Sequence, residues 1–240
     1  MPQSLTRDSL IKVTQEVIAC ERCPRLRAYC RQIAETKRRA YSDWQYWGKP
    51  VPGFGDPEAR VLVIGLAPGA HGGNRTGRIF TGDSSGDFLY RALYETGFAS
   101  QPESRSRDDG LKLRDAYITA SVRCAPPDNK PNPSEFRNCR PYLERELDLL
   151  KNLRVVVALG RIAFETYLGI LRDRGAIASR SAFAFAHNRE HLTSPGAPSL
   201  ISSYHPSQQN TSTGKLTAAM LRAVFQRAAA LVVESVPGAP

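Results

Sequence analysis

Residues 61–86, VLVIGLAPGAHGGNRTGRIFTGDSSG, pass from a short apolar run into a loop that is rich in glycine. The run at 61–64 is entirely apolar, which is typical of a strand in a parallel sheet that is covered on both faces. Seven glycines stand from Gly65 to Gly86. They permit backbone conformations closed to other residues and let a ligand approach the main chain. The single acidic residue of the stretch, Asp83, directly precedes a helix predicted over 84–96.

The same alternation of an apolar strand and a helix recurs along the chain. Strands are predicted at 61–64, 115–120, 155–159 and 199–203, and helices at 5–19, 84–96, 132–151, 160–171 and 214–233. This alternation predicts an α/β fold in which helices cover both faces of a parallel sheet of four strands. We expect residues 1–240 to form a single domain. Functional groups of such folds gather beyond the carboxyl ends of the strands, here in 65–83, 121–129 and 205–213.

The chain is basic: 33 Lys and Arg stand against 23 Asp and Glu in 240 residues, for a net charge of +10. This excess favours a polyanionic partner such as DNA, because neutralised phosphates release their counterions. The alternative is that the charge serves solubility alone. No run of 18 apolar residues occurs, so no membrane span is predicted. The first residues lack the apolar centre of a signal peptide, so we expect a cytoplasmic protein.

Five cysteines occur, and two of them have the ligand-type spacing Cys20-x-x-Cys23. A second pair, Cys124 and Cys139, flanks a segment with several prolines and leaves Cys30 as a spare. Two such pairs suit a metal ion or an iron–sulfur cluster, whereas a redox pair needs no distant partners. A disulfide framework is not expected in a chain without a signal peptide.

Four side chains of the first loop have two interpretations each. Asp83 is either the N-cap of the next helix or a functional carboxylate. Phe80 is either a core residue or a stacking platform. Arg75 and Arg78 are either solvated surface groups or phosphate clamps.

Two other predicted strand ends carry candidate groups. His205 follows the fourth strand, and although a lone histidine is more often structural, this position favours a functional role. A neutral imidazole can donate a hydrogen bond to an oxygen that gains charge during bond cleavage. The segment RCAPPDNKP at 123–131 is either a rigid proline loop or a loop that Cys124 tethers and aims at the same crevice.

Three long motifs, GLAPGAHGGNRTGRIFTGD, RCAPPDNKPNP and SYHPSQQNTSTGKLT, occur in this order in register with four cysteines. Together they resemble the iron–sulfur uracil-DNA glycosylases, and among these family 5, often called type B. The resemblance extends from Cys20 to the last helix. It implies a three-layer α/β/α sandwich with a four-stranded parallel sheet, the uracil-DNA glycosylase fold. It also implies a monomeric, nucleoid-associated hydrolase of base-excision repair that removes uracil from DNA.

Members of this family hold a [4Fe-4S] cluster with four cysteines. The resemblance therefore implies that the cluster ligands are Cys20, Cys23, Cys124 and Cys139, and that Cys30 is a free thiol. Spacing alone leaves zinc as an alternative.

The resemblance implies roles for three side chains around a base that has turned out of the DNA stack. Phe80 stacks on this base, and His205 stabilises the negative charge that develops at the base O2. Asp83 positions water or stabilises the sugar cation, as an oxocarbenium-like transition state requires.

Two positions depart from better-known uracil glycosylases. Leu66 stands close after the first strand, where those enzymes have an acid or an amide, so that role falls to Asp83, to Asn129 or to backbone groups. Ala120 replaces an asparagine that reads the uracil edge, which removes discrimination against other bases. Both departures are typical of the type B group, which resembles a broad-specificity enzyme, so hypoxanthine and xanthine are expected substrates beside uracil. Substrate contacts are expected at Gly65, Ala67, Gly69, Phe80 and Ala120.

The segment 207–211 is expected to enter the DNA groove. Gln208 and Gln209 are the candidate wedge residues, with Ser207 and Asn210 beside them. Phosphate contacts are expected from four basic residues, which are Arg75, Arg78, Arg123 and Lys215.

Two other functions stay open on the sequence alone. One is an iron–sulfur protein that captures DNA lesions without turnover, which stays open because the apolar Leu66 stands at the usual position of the acid. The weaker one is a nucleotide-binding α/β domain with a zinc knuckle.

Overall fold

The computed structural model describes residues 8–234 of the chain. Six strands form one sheet in the order β1-β3-β2-β4-β6-β5. Their bounds are β1 Phe54–Gly55, β2 Val61–Gly65, β3 Ala116–Ala120, β4 Val155–Leu159, β5 Arg189–His191 and β6 Ser199–Ser203. The four predicted strands are the parallel centre of the sheet, β3-β2-β4-β6. The strand count is corrected to six, because β1 and β5 add antiparallel edges that are too short to show a hydrophobic pattern.

Helices lie on both faces of the sheet. The described residues form α1 Leu10–Ile18, α2 Pro24–Thr36, α3 Gly73–Thr76, α4 Ser84–Glu95, α5 Pro133–Leu149, α6 Arg161–Asp173, α7 Gln208–Ser212 and α8 Ala218–Glu234. The five predicted helices correspond to α1, α4, α5, α6 and α8, whereas α2 and the short α3 and α7 are not predicted. The start of the predicted first helix and both ends of the predicted domain lie outside the described residues. No helix in residues 8–234 has the length and apolar character needed to cross a membrane.

The side chains of β2 alternate between two apolar layers, as the period of a strand requires. Val61 and Val63 pack in a cluster with residues of α4 and α8. Leu62 and Ile64 pack in a second cluster with residues of α5 and α6. Every residue of β2, β3 and β4 is buried, which explains their continuous apolar runs. The predicted three-layer α/β/α sandwich is confirmed.

The carboxyl ends of the parallel strands share one edge of the sheet. The register pairs Gly65 with Ala120 and Leu159 with Ser203. The segments after β2 and β3 stay together beyond this edge, since Ser121 donates its N–H group to the Gly65 carbonyl oxygen at 2.9 Å. The three segments that the sequence marks as functional therefore emerge side by side.

A buried ion pair joins the segment after β3 to α5. Arg123 Nη2 lies 2.5 Å from Glu146 Oε2, and both side chains are almost fully enclosed. Thr119 donates its hydroxyl to the same carboxylate at 2.6 Å. The pair holds the end of β3 against α5, and each charge depends on the other because neither is solvated.

Removing the charge of Glu146 is therefore expected to destabilise the protein. Glu146→Gln keeps the side-chain volume but leaves the Arg123 charge unpaired, which costs about 3–5 kcal/mol of unfolding free energy. Asp148→Asn is a matched control on the same helix, because Asp148 pairs with Arg174 in solvent at 2.8 Å. Its effect should stay below about 1 kcal/mol. Urea denaturation measures both, and equal losses would contradict the importance of the buried pair.

Candidate active site

Phe80 and His205 meet beyond the ends of β2 and β6. Their ring centroids are 5.7 Å apart, with the planes at 33°. Phe80 adopts a left-handed backbone conformation with φ +51°, which is uncommon for an aromatic residue. Its ring covers Gly65 so closely that a Cβ at residue 65 would lie 2.7 Å from it. Glycine at the end of β2 therefore allows Phe80 to take this position.

The His205 imidazole is neutral at neutral pH. Burial lowers its pKa to about 4. Its carbonyl oxygen accepts a hydrogen bond from Asn210 Nδ2 at 2.8 Å, which fixes the backbone of the loop. Gly160 lies behind the side chain, where an added Cβ would approach His205 Cβ to 3.2 Å. The ring is thus held in an uncharged form that can still donate one hydrogen bond.

His205 lines a cavity of about 490 Å³ at this edge of the sheet. Leu66 contributes to its wall, so the position that lacks an acid does face the site. Arg161, Ile162 and Phe185 also line the cavity, and sequence reasoning missed all three. The sequence did contain a signal for Arg161, because this residue is the first of the helix that directly follows β4. Phe185 lies in a segment without a clear pattern.

The two carboxylate oxygens of Asp83 have different surroundings. Oδ1 accepts a hydrogen bond from the Gly86 N–H group at 3.0 Å, so Asp83 is the N-cap of α4. Oδ2 lies against the glycine loop, where a Cβ at residue 72 would come within 1.9 Å and one at residue 69 within 2.7 Å. Burial raises the pKa of Asp83, and the Gly86 N–H group opposes that shift. The cap therefore uses one oxygen and leaves the other for a second role.

Three predicted arginines are internal. Arg78 is buried and pairs with Asp109 at 2.6 Å, and Arg123 is enclosed with Glu146. Arg75 is buried under Tyr41 and Trp44, and its Nη2 donates to the Gly82 carbonyl oxygen at 2.6 Å.

These placements correct the expected phosphate contacts of the three arginines. Their guanidinium groups already bind protein acceptors and have little access to solvent, so they brace loops. Lys215 is exposed and stays available, with its ammonium 5.1 Å from the centroid of Tyr204.

The segment after His205 contains a short helix, where an irregular wedge loop is expected. Ser207 caps α7 by accepting from the Asn210 N–H group. Gln208 and Gln209 are exposed on the first turn. Asn210 turns inward to hold His205, so it positions the histidine in this structure.

The remaining predicted contacts divide between the site and its surroundings. Ala120 is buried beside Gly65 at the sheet edge. Ala67 packs against the cysteine cluster. Asn129 is exposed on a short 3₁₀ turn, Pro127–Asn129, with φ +56°. Among the described residues, the structure gives Asn129 no contact with Phe80 or His205.

The cysteines gather in one region between α2, α5 and the segment after β3. A buried cluster contains Cys23, Cys30, Cys124 and Cys139. Cys20 packs against a neighbouring cluster of Val13, Val17 and Tyr142, and electrostatic interactions connect it and Cys23 to Cys139. All five are free thiols. The structure thus brings the four predicted ligands together.

Within residues 8–234, no three His, Cys, Asp or Glu side chains converge closely enough to hold one metal ion. A zinc site needs such convergence. The [4Fe-4S] cluster remains a prediction.

The chain matches known proteins over most of its length. The family model described as the uracil DNA glycosylase superfamily matches residues 52–229. A type-5 uracil-DNA glycosylase of Thermus thermophilus is 53% identical over 214 residues, which cover 89% of this chain and 94% of the relative. One of Pyrobaculum aerophilum is 46% identical over 214 residues, 89% of each chain. A type-4 enzyme of Sulfurisphaera tokodaii is 32% identical over 155 residues, 64% of this chain and 56% of the relative.

The match to the family model spans the glycine loop and the His205 segment, and the fold has the predicted three layers. The chain belongs to the uracil-DNA glycosylase superfamily and, within it, to the type-5 uracil-DNA glycosylases.

Proposed function

We propose that this protein hydrolyses the N-glycosidic bond of uracil in DNA. The named activity of its type-5 relatives supports uracil as the substrate. The contact between Phe80 and the neutral His205, which lines the cavity, carries the proposal. A base inside duplex DNA cannot reach such a cavity, so the target nucleotide must leave the stack.

Phe80 and His205 act on the base. The Phe80 ring offers an apolar face for stacking, and its fixed position against Gly65 avoids reorganisation when a base binds. The neutral imidazole of His205 donates a hydrogen bond to the base O2. Negative charge develops there as the glycosidic bond breaks, and a preorganised donor in a dry site stabilises it.

Asp83 acts on the sugar. The bond breaks through an oxocarbenium-like state, in which the deoxyribose carries positive charge. The Oδ2 atom, which the glycine loop leaves uncovered by side chains, supplies negative charge or orients the attacking water. Leu66 offers no polar atom at the usual position, so Asp83 carries this role alone or with Asn129.

The substrate range extends to other deaminated bases. Ala120 presents a methyl group where an amide would select the uracil edge, and Leu66 adds a second apolar wall. A site without a fixed donor and acceptor pair penalises other base edges little. Hypoxanthine and xanthine are therefore substrates of the same pocket.

DNA binds to the protein surface at the carboxyl ends of the parallel strands. The exposed residues Gln208 and Gln209 fill the gap in the stack, with Ser207 at the start of their helix. Lys215 contacts a phosphate. Arg161, exposed at the mouth of the cavity, adds a cation that the sequence did not assign.

The cysteine region holds a [4Fe-4S] cluster through Cys20, Cys23, Cys124 and Cys139. The free thiols of these four cysteines support this assignment of the cluster ligands, and so does the side chain of Arg123. Its Nε and Nη1 atoms are buried without a hydrogen-bond partner among the described residues, and its charge faces Cys139. A negatively charged cluster would compensate this cation. When bound, the cluster cross-links α2, α5 and the segment after β3.

Uracil release tests the proposed activity and roles. The wild-type protein should free uracil from a duplex without cutting the strand, and should also release hypoxanthine and xanthine. Asp83→Asn and His205→Ala should each lower single-turnover uracil release by about 100-fold or more. Asp87→Asn, on the exposed first turn of α4, is the matched control and should keep activity. Full activity in both site variants would refute the roles, and a single turnover with a lasting protein–DNA complex would indicate lesion capture.

The charged carboxylate of Asp83 should also lower the free energy of unfolding at neutral pH. Burial raises its pKa, so the folded protein binds this proton more tightly than the unfolded chain does. The charged form is therefore destabilising above the raised pKa, and the cost disappears as the pH falls below the ordinary carboxyl value. Asp83→Asn keeps the cap without the charge and should be more stable than wild type at pH 7, with the difference vanishing near about pH 3. Urea denaturation across this range checks the sign, with the exposed Asp43→Asn as control.

The cluster is tested on protein purified without oxygen. We expect four iron atoms and four sulfides per chain and a broad absorbance band near about 400 nm that bleaches on reduction. Stoichiometric zinc in a colourless protein would contradict the cluster.

A further inference from the structure

The segment YSDWQYW at 41–47, here called the aromatic segment, lies against the glycine loop and has no role in the proposed reaction. Its backbone binds the loop, because the Trp47 N–H group donates to the Arg75 carbonyl oxygen at 2.9 Å. The Tyr46 hydroxyl lies 3.0 Å from Nδ1 of His71. The aromatic segment is therefore fixed to the loop at two points, although the two are separate in the chain.

Two rings of the aromatic segment cover the Arg75 guanidinium. Its Cζ atom lies 3.9 Å from the ring centroid of Tyr41 and 4.1 Å from that of Trp44. The two rings meet edge to face, with their centroids 6.5 Å apart. The face of an aromatic ring attracts a cation, and the attraction grows where water is excluded. Arg75 is only 3% exposed, so the rings hold it in a dry position.

Arg75 in turn binds two backbone groups beside the Asp83 carboxylate. Its Nε donates to the His71 carbonyl oxygen at 2.7 Å, and its Nη2 donates to that of Gly82 at 2.6 Å. Gly72 follows His71, and a Cβ there would collide with Asp83 Oδ2. Asp83 itself follows Gly82. Because the guanidinium is a rigid fork, it fixes the distance between the two backbone segments that flank the carboxylate.

The charge of Arg75 also acts on Asp83. Burial raises the pKa of this carboxyl, and the Gly86 N–H group and the positive charge of Arg75 oppose that shift. A nearby cation favours the charged form of a carboxyl group. Arg75 thus supports both the position and the negative charge of Asp83.

We infer that Tyr41 and Trp44 are positioning residues for Asp83, on which they act through Arg75. The inference rests on the proposed function, in which Asp83 acts on the sugar. The rings hold the guanidinium, and the guanidinium holds the two backbone segments that flank the carboxylate. A small displacement of a reacting group is costly in rate, so the loss of one ring should slow the chemical step.

Trp44 allows the clearest test, because its side chain is 36% exposed and its removal leaves the core intact. Trp44→Ala should lower the rate constant of single-turnover uracil release by about 10-fold. Trp44→Phe keeps an aromatic face and should restore most of this loss. Tyr94→Ala is the matched control, since it removes a ring that is 48% exposed on α4, and it should keep the wild-type rate. Urea denaturation of each variant verifies that the assayed protein is folded.

The double variant Trp44→Ala/Asp83→Asn tests the route of the effect. If the ring acts through Asp83, the double variant should be no slower than Asp83→Asn, whereas independent losses would multiply. DNA affinity is measured with a duplex that contains a non-cleavable analogue of deoxyuridine. The affinity of Trp44→Ala should stay within about two-fold of wild type, because the lost interaction acts on the chemical step.

Three results with the variants would overturn the positioning role. A wild-type rate in Trp44→Ala would show that Asp83 does not depend on the ring. Weaker DNA affinity with an unchanged single-turnover rate would make Trp44 a DNA contact instead. Losses that multiply in the double variant would show that the ring acts independently of Asp83. Failure of the proposed function itself is distinguishable, because the wild-type protein would then release no uracil.

Discussion

The close approach of side chains to the backbone of the glycine loop organises the whole site. The Phe80 ring occupies the space that a side chain at residue 65 would need, and the Asp83 carboxylate occupies that at residue 72. Any larger residue would displace the stacking ring or the carboxylate. Proximity thus requires glycine at residues 65, 69 and 72. Gly77 and Gly82 instead have positive φ values of 78° and 79°, which favour glycine. This constraint explains why so many glycines stand between one strand and one helix.

Two polar groups of the site, His205 and Asp83, lose solvation when the protein folds. His205 is half-buried, and burial lowers its pKa so far that it stays uncharged at neutral pH, while burial raises the pKa of the Asp83 carboxylate. Both cost desolvation energy, which the apolar layers on either side of the sheet offset. In the proposed reaction each group presents a fixed charge or dipole to the nucleotide without reorganisation.

The ion pair between Arg123 and Glu146 connects this site to the cysteine region. Arg123 follows β3 and precedes Cys124, while Glu146 lies on α5 two turns after Cys139. The pair therefore sets the distance between the two segments that bear Cys124 and Cys139. Arg123 is better understood as a structural cation of the interior than as a DNA contact, because its side chain is almost fully enclosed.

Local patterns in the sequence determined the central fold and the identity of the site. The apolar runs at 61–64 and 155–159 located β2 and β4, because strands buried on both faces are rich in apolar residues. Shorter apolar stretches, at 116–118 and 200–201, located β3 and β6. The motifs around Phe80, Asp83 and His205 marked the site.

Only the tertiary structure decided which cations are free. The sequence predicts phosphate contacts for three arginines, Arg75, Arg78 and Arg123. In the structure each of them is buried and bound to an acceptor elsewhere in the protein. Local sequence does not reveal such contacts, and burial depends on them. The same reason applies to Cys30, whose sulfur lies 3.6 Å from the Ala125 carbonyl oxygen, a contact between distant parts of the chain that leaves no trace in local spacing.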